Sequence, residues 1–251
     1  MQMTKKSKVK FKLSAIPNLA QKVWEKVGDV GDFQWALPEN WQTIESIVGQ
    51  EKCNDVINIQ NSALRNREIR NLISPYLRST DLIDRKKIAD WIIYSWGGIT
   101  RGKSSSEKWT KIFGNYEEET VNAFINANEQ YRIASWSKVL AFADMKKYAV
   151  YDAWTATSLN IILDDIGYVN RFYMPPPRSE LLPDLNKVIR KDMRNKFEGK
   201  KKVYMCYFDY MELLKAIVDY GYATDVLEVE MCIFANGDRL CRYFADKHDL
   251  I

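Results

Sequence analysis

The chemistry open to this chain is limited first by its single histidine, His248. A Ser-His-Asp or Cys-His catalytic arrangement and a histidine-rich metal site are therefore not expected. Catalysis would have to use carboxylates, lysine, tyrosine or bound ions. Lys138 and Asp152 are the leading candidates, because each lies near the start of an apolar helical segment, in "SWSKVLAFADMKKY" and "VYDAWTATSLNIILDDIG". The plain structural alternative is a packed lysine stem and an aspartate that only caps a helix.

A second candidate is a phosphate-binding loop in "WGGITRGKSSS". Gly97, Gly102, Lys103 and Ser104 satisfy the pattern G-x-x-x-x-G-K-S, in which backbone amides and the lysine hold nucleotide phosphates. Such a loop follows a buried strand and opens a helix. The preceding "RKKIADWIIYSW" instead has the apolar spacing of a helix that the glycines end. We therefore treat a nucleotide-binding enzyme as the alternative hypothesis and do not favour it over the Lys–Asp site.

Phosphate-loop enzymes also need an apolar strand that ends in a magnesium-binding aspartate, and "VYMCYFD", ending at Asp209, resembles one. The chain lacks the alternating strands and helices of a parallel sheet, which disfavours this interpretation. The glycines could instead form a turn that brings Arg101 and Lys103 near nucleic-acid phosphates.

The elements that must position these residues are predicted to be mainly helices. Apolar residues recur at helical spacing in 18–27, 40–49, 51–73 and 79–96, and helical segments continue to residue 197. The last fifty residues mix helix with room for one minor strand. With 46% hydrophobic residues among 251, the chain is expected to be an ordered globular protein of mainly α class.

The arrangement of Lys138 and Asp152 resembles the active site of the helix-hairpin-helix DNA glycosylases, especially the bacterial 8-oxoguanine-DNA-glycosylase-like proteins. In that family a lysine begins the helix after the hairpin and an aspartate caps a following helix. The family's hairpin usually reads like Leu-Pro-Gly-Val-Gly, whereas "EQYRIASWS" contains no glycine, and the interval from lysine to aspartate is shorter here. The resemblance implies a helix-hairpin-helix glycosylase-like helical fold.

The same resemblance implies one glycosylase-like unit over residues 1–251. Within it we expect a basic N-terminal arm (1–12), a catalytic core (80–165) and a C-terminal helical region (178–251). The implied function is a DNA glycosylase that flips a modified base out of DNA and excises it, in base-excision repair or in defence against phages.

The resemblance also implies roles for individual residues. Asp152 would stabilise the positive charge left on the sugar when the base–sugar bond breaks. Lys138 would attack the sugar and form a Schiff base, or a water would attack instead, and the missing hairpin glycines favour the water route. Aromatic residues and glycines near the pair are expected to line the base pocket, although most aromatics of such a chain belong to the core: Trp96, Gly97, Gly98, Trp136, Tyr151 and Trp154.

Double-stranded DNA is the expected partner. The net charge is only +4, but lysine and arginine are concentrated in "KKSKVKFK" (5–12) and "RKDMRNKFEGKKK" (190–202). Such clusters suit contact with phosphates, although solvated helix faces often look the same. A non-catalytic nucleic-acid-binding protein would keep these clusters and lack the pocket. The residues expected to contact DNA are Arg101, Lys103, Arg190, Lys191 and Arg194.

No metal and no cofactor is expected. Cys53, Cys206, Cys232 and Cys241 form no closely spaced set, which argues against zinc or an iron–sulfur cluster and favours buried thiols. The apolar runs are shorter than the roughly 20 residues that span a bilayer, and the N-terminus has no apolar signal region. We therefore expect a cytoplasmic protein with no membrane association.

Overall fold

The prediction of a mainly helical fold is confirmed. The computed structural model describes residues 18–28, 30–31, 33–38, 40–78, 81–99, 118–128, 130–168, 170–176, 181–196 and 204–249. In chain order, the helices there are α1 (Leu19–Val27), α2 (Gln42–Val48), α3 (Gln50–Ile57), α4 (Ser62–Leu77), α5 (Leu82–Trp91), a π-helical segment (Ile92–Trp96), α6 (Glu118–Asn128), α7 (Ile133–Ala143), α8 (Ala153–Asp165), α9 (Leu181–Lys196), α10 (Tyr207–Asp219), α11 (Val226–Ala235) and α12 (Gly237–Lys247).

Two very short strands complete the described structure. β1 (Arg171–Phe172) pairs in parallel with β2 (Tyr204–Met205), with Arg171 opposite Tyr204 and Phe172 opposite Met205. β2 is the minor strand expected near the C-terminus, whereas β1 was not predicted. Two residues carry too little pattern to be recognised as a strand.

Polar residues at helix starts explain several of the boundaries. The Asp81 carboxylate accepts hydrogen bonds from the backbone N–H groups of Ile83 and Asp84, which fixes the start of α5. The stretch 51–73, which has one continuous helical pattern, is divided into α3 and α4. Asn61 causes the restart, because its side chain accepts from the backbone of Leu64 at the first turn of α4.

Apart from α6, the helices of the described ranges pack in two groups. The first group consists of α2, α3, α4, α5, the π-helical segment and α7, and the second consists of α1, α8 to α12 and the two strands. Helix α8 is the centre of the second group, since α1, α9, α11, α12 and β1 all pack against it. One hydrophobic core continues through both groups. The chain passes from α7 of the first group to α8 of the second through residues 144–152, so this connection lies at their junction.

None of the helices in the described ranges is long and apolar enough to cross a membrane. The four cysteines are buried and form no disulfide, which confirms the prediction of buried thiols. Burial raises the pKa of Cys53 to about 11 and that of Cys241 to about 12, with a neighbouring carboxylate adding to each shift. Both thiols are therefore protonated and unreactive at neutral pH.

Candidate active site

Lys138 lies in the interior on helix α7. Nearly all of this helix is buried, and the Lys138 side chain is only 3% exposed. Gly97, which follows the π-helical segment, packs directly on the lysine stem. A Cβ atom at position 97 would lie 2.7 Å from Lys138 Cδ and 2.8 Å from the carbonyl oxygen of Ile93. This glycine is therefore needed for space, and it fixes the path of the lysine side chain.

The Lys138 ammonium lies next to Asp152, the residue directly before helix α8. Lys138 Nζ lies 3.2 Å from Asp152 Oδ2 and donates a hydrogen bond to it. The second carboxylate oxygen, Asp152 Oδ1, accepts from the backbone N–H of Thr155 at 3.1 Å. Asp152 thus caps α8 with one oxygen and pairs with the lysine through the other, so the cap and the ion pair occur together.

Asp152 is held in its charged form. Burial alone would raise the pKa of Asp152, but the Lys138 ammonium and the Thr155 N–H together favour the carboxylate more strongly, so the pKa is lowered from its ordinary value of 3.8. The side chain keeps 17% of its surface exposed. A carboxylate of this kind is ionised at neutral pH and remains accessible on one side.

Side chains hold the backbone just before Asp152. Ser137 Oγ accepts from the Tyr151 N–H at 3.0 Å and lies within hydrogen-bonding distance of the Tyr151 carbonyl at 3.3 Å. Tyr210 donates its hydroxyl to the Val150 carbonyl, and Tyr207 donates to the carbonyl of Ala149. The peptide groups of 149–151 are therefore tied to α7 and α10, which limits the freedom of the following aspartate.

A buried ion pair completes this support. Glu230 of α11 accepts the Val150 N–H at 2.7 Å and pairs with Arg70 of α4, whose guanidinium makes two bonds to it. The Arg70 guanidinium also lies over the rings of Trp96 and Phe142, at 5.4 and 5.2 Å from their centroids. Arg70 and Glu230 thereby join the two helical groups beside the candidate site.

A small internal cavity lies against Asp152. Its volume of about 10 Å³ is room for about one water molecule. We call it the inner cavity, and its lining residues come from both helical groups and from the segment before α2: Phe33, Trp35, Asn66, Arg70, Trp96, Val150, Asp152, Thr155, Glu230 and Phe234.

A larger, open groove of about 710 Å³ lies on the outer side of the same aromatic residues. We call it the outer groove, and its lining includes residues 34–38 and 94–99. Trp35, Trp96 and Phe234 line both spaces. The Trp35 and Trp96 rings are stacked, with centroids 4.7 Å apart and planes inclined by 24°. These aromatic side chains therefore border both the outer groove and the inner cavity.

The structure brings together some of the residues expected at the site. Lys138, Asp152, Trp96 and Gly97 are adjacent, and Gly98 lies in the outer groove with a left-handed φ of 62°. The contact between Gly97 and the lysine explains how the glycine turn and the Lys–Asp pair, distant in sequence, meet at one place.

Three expected pocket residues lie elsewhere, in neither the inner cavity nor the outer groove. Trp136 is fully buried and packs edge-on against Tyr207. Tyr151 is also fully buried and donates its hydroxyl to the carbonyl of Tyr173. Trp154 packs on the core beside Gly237 of α12. These aromatics are core residues that support α7 and α8, as is usual for large rings in such a chain.

Sequence reasoning missed the opposite wall of the cavity, which includes Phe33, Trp35, Asn66 and Phe234. Only Asn66 could have been found from the sequence. It lies at helical spacing from Ile73 and the other apolar residues of α4, so its polar amide is on the buried side of that helix. Trp35 and Phe234 are distant in sequence from Asp152, and no local pattern links them to it.

The phosphate-loop alternative lacks its structural context. Helix α5 and the π-helical segment, and not a strand, lead to Gly97. Asp209 lies in the first turn of α10, where its carboxylate accepts the backbone N–H of Cys206 at 2.8 Å. Among the described residues, no group of three or more His, Cys, Asp or Glu side chains is placed to hold a metal ion.

Most of the residues expected to contact DNA lie in parts of the chain that the structure does not describe. Arg101 and Lys103, the loop residues Gly102 and Ser104, and the cluster 5–12 lie outside the described residues. The backbone of Arg190, Lys191 and Arg194 belongs to α9, and the positions of their side chains are outside what the structure describes, as are residues 197–202.

The fold and the site together define a mainly helical protein that holds a buried lysine–aspartate ion pair at the junction of two helical groups. No model of a known protein family matches the chain, and no curated protein or solved structure matches it.

Proposed function

We propose that this protein is a DNA glycosylase that flips a modified base out of the duplex and excises it. The observation that carries the proposal is the ion pair between Lys138 Nζ and Asp152 Oδ2, 3.2 Å apart, at the edge of an aromatic-lined cavity. The resemblance of this pair to the site of the helix-hairpin-helix glycosylases supports it. Arg132, the residue directly before α7, has a left-handed φ of 53°, a conformation that glycine often supplies.

The reaction breaks the bond between the base nitrogen and the anomeric carbon of the sugar, and the electron pair leaves with the base. Positive charge then develops on the sugar. The ionised Asp152 carboxylate would stabilise this charge, and its bonds to Lys138 and Thr155 hold it in place without reorganisation. The Asp152 side chain keeps 17% of its surface exposed, and the sugar would approach it there.

Two routes complete the step. In the first, a water adds to the anomeric carbon and gives up a proton while the departing base takes one. In the second, the Lys138 ammonium first loses a proton, and the free amine bonds to the same carbon while the departing base takes a proton. The bond from that carbon to the ring oxygen then breaks, the ring oxygen takes a proton from the nitrogen, and the resulting Schiff base allows the strand to be cleaved by elimination. Because the Lys138 ammonium is bonded to Asp152 and covered by Gly97, the water route needs less movement of the protein.

A base can enter only if the aromatic side chains move. The inner cavity, at about 10 Å³, admits about one water molecule. The Trp35 indole is stacked on Trp96 in the position that a flipped base would occupy. Displacement of Trp35 would leave the Trp96 face for stacking with the base, which repays part of the cost of extruding it. The outer groove would then be the path of entry.

We further propose that the partner is double-stranded DNA with a modified base, bound in the cytoplasm, and that the role is base-excision repair or defence against phages. The basic segments 5–12 and 190–202, with Arg101 and Lys103, supply charge for the phosphate backbone. No cofactor enters the proposed reaction, because the carboxylate, the lysine and water suffice for it.

The proposal is tested with a panel of duplexes, each carrying one damaged or phage-type modified base. After incubation with the protein, alkali cleaves any abasic site, and a denaturing gel detects the product. Alkali-dependent cleavage of one or more duplexes is the expected result. Binding to the duplexes without cleavage of any of them would instead indicate a non-catalytic nucleic-acid-binding protein.

Borohydride trapping separates the two routes on whichever duplex is cleaved. The water route predicts no covalent protein–DNA adduct and substantial base release by Lys138→Gln. A trapped adduct that disappears in Lys138→Gln would establish the lysine route. An adduct that persists in Lys138→Gln would identify another amine as the nucleophile.

A further inference from the structure

Asn66 is a buried amide whose hydrogen-bonding groups are unused within the part of the chain that the structure describes. The residue is 2% exposed on helix α4, and neither its Nδ2 nor its Oδ1 has a hydrogen-bond partner there. Asn66 lines the inner cavity together with Asp152. Most buried polar side-chain atoms in proteins are hydrogen-bonded, so an amide with both ends unpaired beside the Asp152 carboxylate is a place where a bound group would complete the hydrogen bonds.

Arg70, one helical turn further along α4, adds to this polar face. Its two terminal nitrogens bond to Glu230, but its Nε has no partner among the described residues and the side chain also lines the inner cavity. Residues four apart on a helix lie on the same face. Two residues that line the cavity, Asn66 and Arg70, therefore carry two buried donor groups without partners, Nδ2 and Nε, and one such acceptor, Oδ1.

We propose that Asn66 reads the Watson–Crick edge of the flipped base and that the site accepts pyrimidines. This inference rests on the proposed glycosylase function. Cytosine and uracil or thymine each present two acceptors and one donor along that edge, which complements two donors and one acceptor. Guanine presents one acceptor and two donors, and adenine presents one acceptor and one donor. Asparagine amides are well suited to such paired contacts because their donor and acceptor lie side by side.

The unpaired amide also predicts that its removal lowers the activity without lowering the stability. Replacing a buried amide that has no partner by an apolar side chain of similar shape removes a desolvation cost. Asn66→Leu is therefore expected to have a thermal midpoint equal to or above that of the wild type. A lowered midpoint would mean that the amide has a structural partner, which would overturn the inference. This measurement needs no DNA.

The activity arm compares single-turnover excision from pyrimidine-modified and purine-modified duplexes. We expect excision from pyrimidine duplexes by the wild type and a loss of about a hundredfold in Asn66→Leu, in line with the loss of a paired base contact and its geometry. Asn66→Ala, which also lacks the amide and adds no bulk, should lose activity equally.

The control is Asn71→Leu, because Asn71 is an exposed asparagine of the same helix, bonded to Glu68. Wild-type excision by both Asn66 variants, or excision from purine duplexes alone, would overturn the inference.

A binding arm separates failure of this inference from failure of the proposed function. In ¹⁵N-labelled protein, the side-chain amide signal of Asn66 should shift with deoxycytidine or deoxyuridine and not with deoxyadenosine or deoxyguanosine, while the Asn71 signal stays fixed. If the wild type excises no base from any duplex but the Asn66 signal shifts, the glycosylase proposal fails and the pyrimidine site stands. An Asn66 signal that responds to none of the four nucleosides, or only to the purine nucleosides, would overturn the inference.

Discussion

The geometry of the Lys138–Asp152 pair depends on the absence of a side chain at Gly97. In Gly97→Ala the new methyl group would meet the lysine stem and the Ile93 carbonyl at less than 3 Å. The lysine end can move, but the backbone carbonyl cannot, so the ammonium should be displaced from the carboxylate. We expect a loss of stability of about 1–3 kcal/mol and a fall in excision of about a hundredfold. Urea unfolding and single-turnover assays measure the two effects.

Gly221→Ala is the matched control for that variant. Gly221 has a left-handed φ of 77° and open space where a Cβ would stand, so alanine there adds backbone strain without a clash. It should cost about 1 kcal/mol and leave excision unchanged. Equal losses of excision in the two variants would show that Gly97 affects activity only through stability.

Asp152 should also make stability depend on pH. Its pKa in the folded protein is below the ordinary value of 3.8, because Lys138 and the Thr155 N–H outweigh the effect of burial. A lowered carboxyl pKa contributes stability that is fully present above the unfolded pKa and is lost as the pH falls through the folded pKa. The difference in unfolding free energy between the wild type and Asp152→Asn should therefore be constant from pH 7 down to about pH 5 and shrink below about pH 3.8. A difference that stays constant at acidic pH would contradict this assignment.

At the scale of the elements, the connection between α7 and α8 is held from three sides. Glu230 of α11 accepts the Val150 N–H and neutralises the buried Arg70, so Glu230→Gln would leave a buried guanidinium without its counter-charge. We expect a loss of about 3 kcal/mol in urea unfolding. The comparison is Asp225→Asn, which breaks the partly buried pair with Arg67 and should cost about 1 kcal/mol. A cost for Glu230→Gln no larger than for Asp225→Asn would show that the buried pair does not hold this connection.

The same elements show what the sequence can and cannot reveal about the site. Asp152 was predicted as a helix cap because a cap depends on neighbouring residues only, and the structure confirms that role. The split between α3 and α4 at Asn61 was missed, because the apolar spacing continues across it. Trp35 belongs to the cavity wall only through packing on Trp96, a contact between distant segments that no periodicity encodes.

At the scale of the whole molecule, the two helical groups share one core, and the candidate site lies where the chain crosses between them. The helical class was predictable because spacing on each helix reports its buried face. The division into two groups was not predictable, because α1 packs with α8 and α10, and both of these helices are distant from α1 in sequence. That arrangement depends on tertiary contacts, which also place the Trp136 and Tyr151 rings in the core and outside both the inner cavity and the outer groove.

Charge is the other property of the whole molecule that leads to a prediction. The net charge of the chain is only +4, so removal of the five lysines of 5–12 would change the net charge strongly. Replacing them with glutamine should weaken binding to every duplex and flatten the plot of log affinity against log salt, by about 0.9 for each phosphate that the protein no longer neutralises. The preference among bases should not change. An unchanged salt slope in a titration series would show that this segment does not touch DNA.

We expect the Asp152 carboxylate to perform chemistry and not only to cap a helix. Single-turnover excision by Asp152→Asn, on the duplex that the wild type cleaves best, distinguishes the two roles. Asparagine keeps an acceptor for the Thr155 N–H and removes the charge, so the rate should fall by about a hundred- to a thousandfold while the protein stays folded. Asp225→Asn is the matched control, because Asp225 also caps a helix and pairs with a basic side chain, at a place outside the inner cavity and the outer groove. We expect the wild-type rate for Asp225→Asn, whereas excision by Asp152→Asn at the wild-type rate would show that the carboxylate only caps the helix.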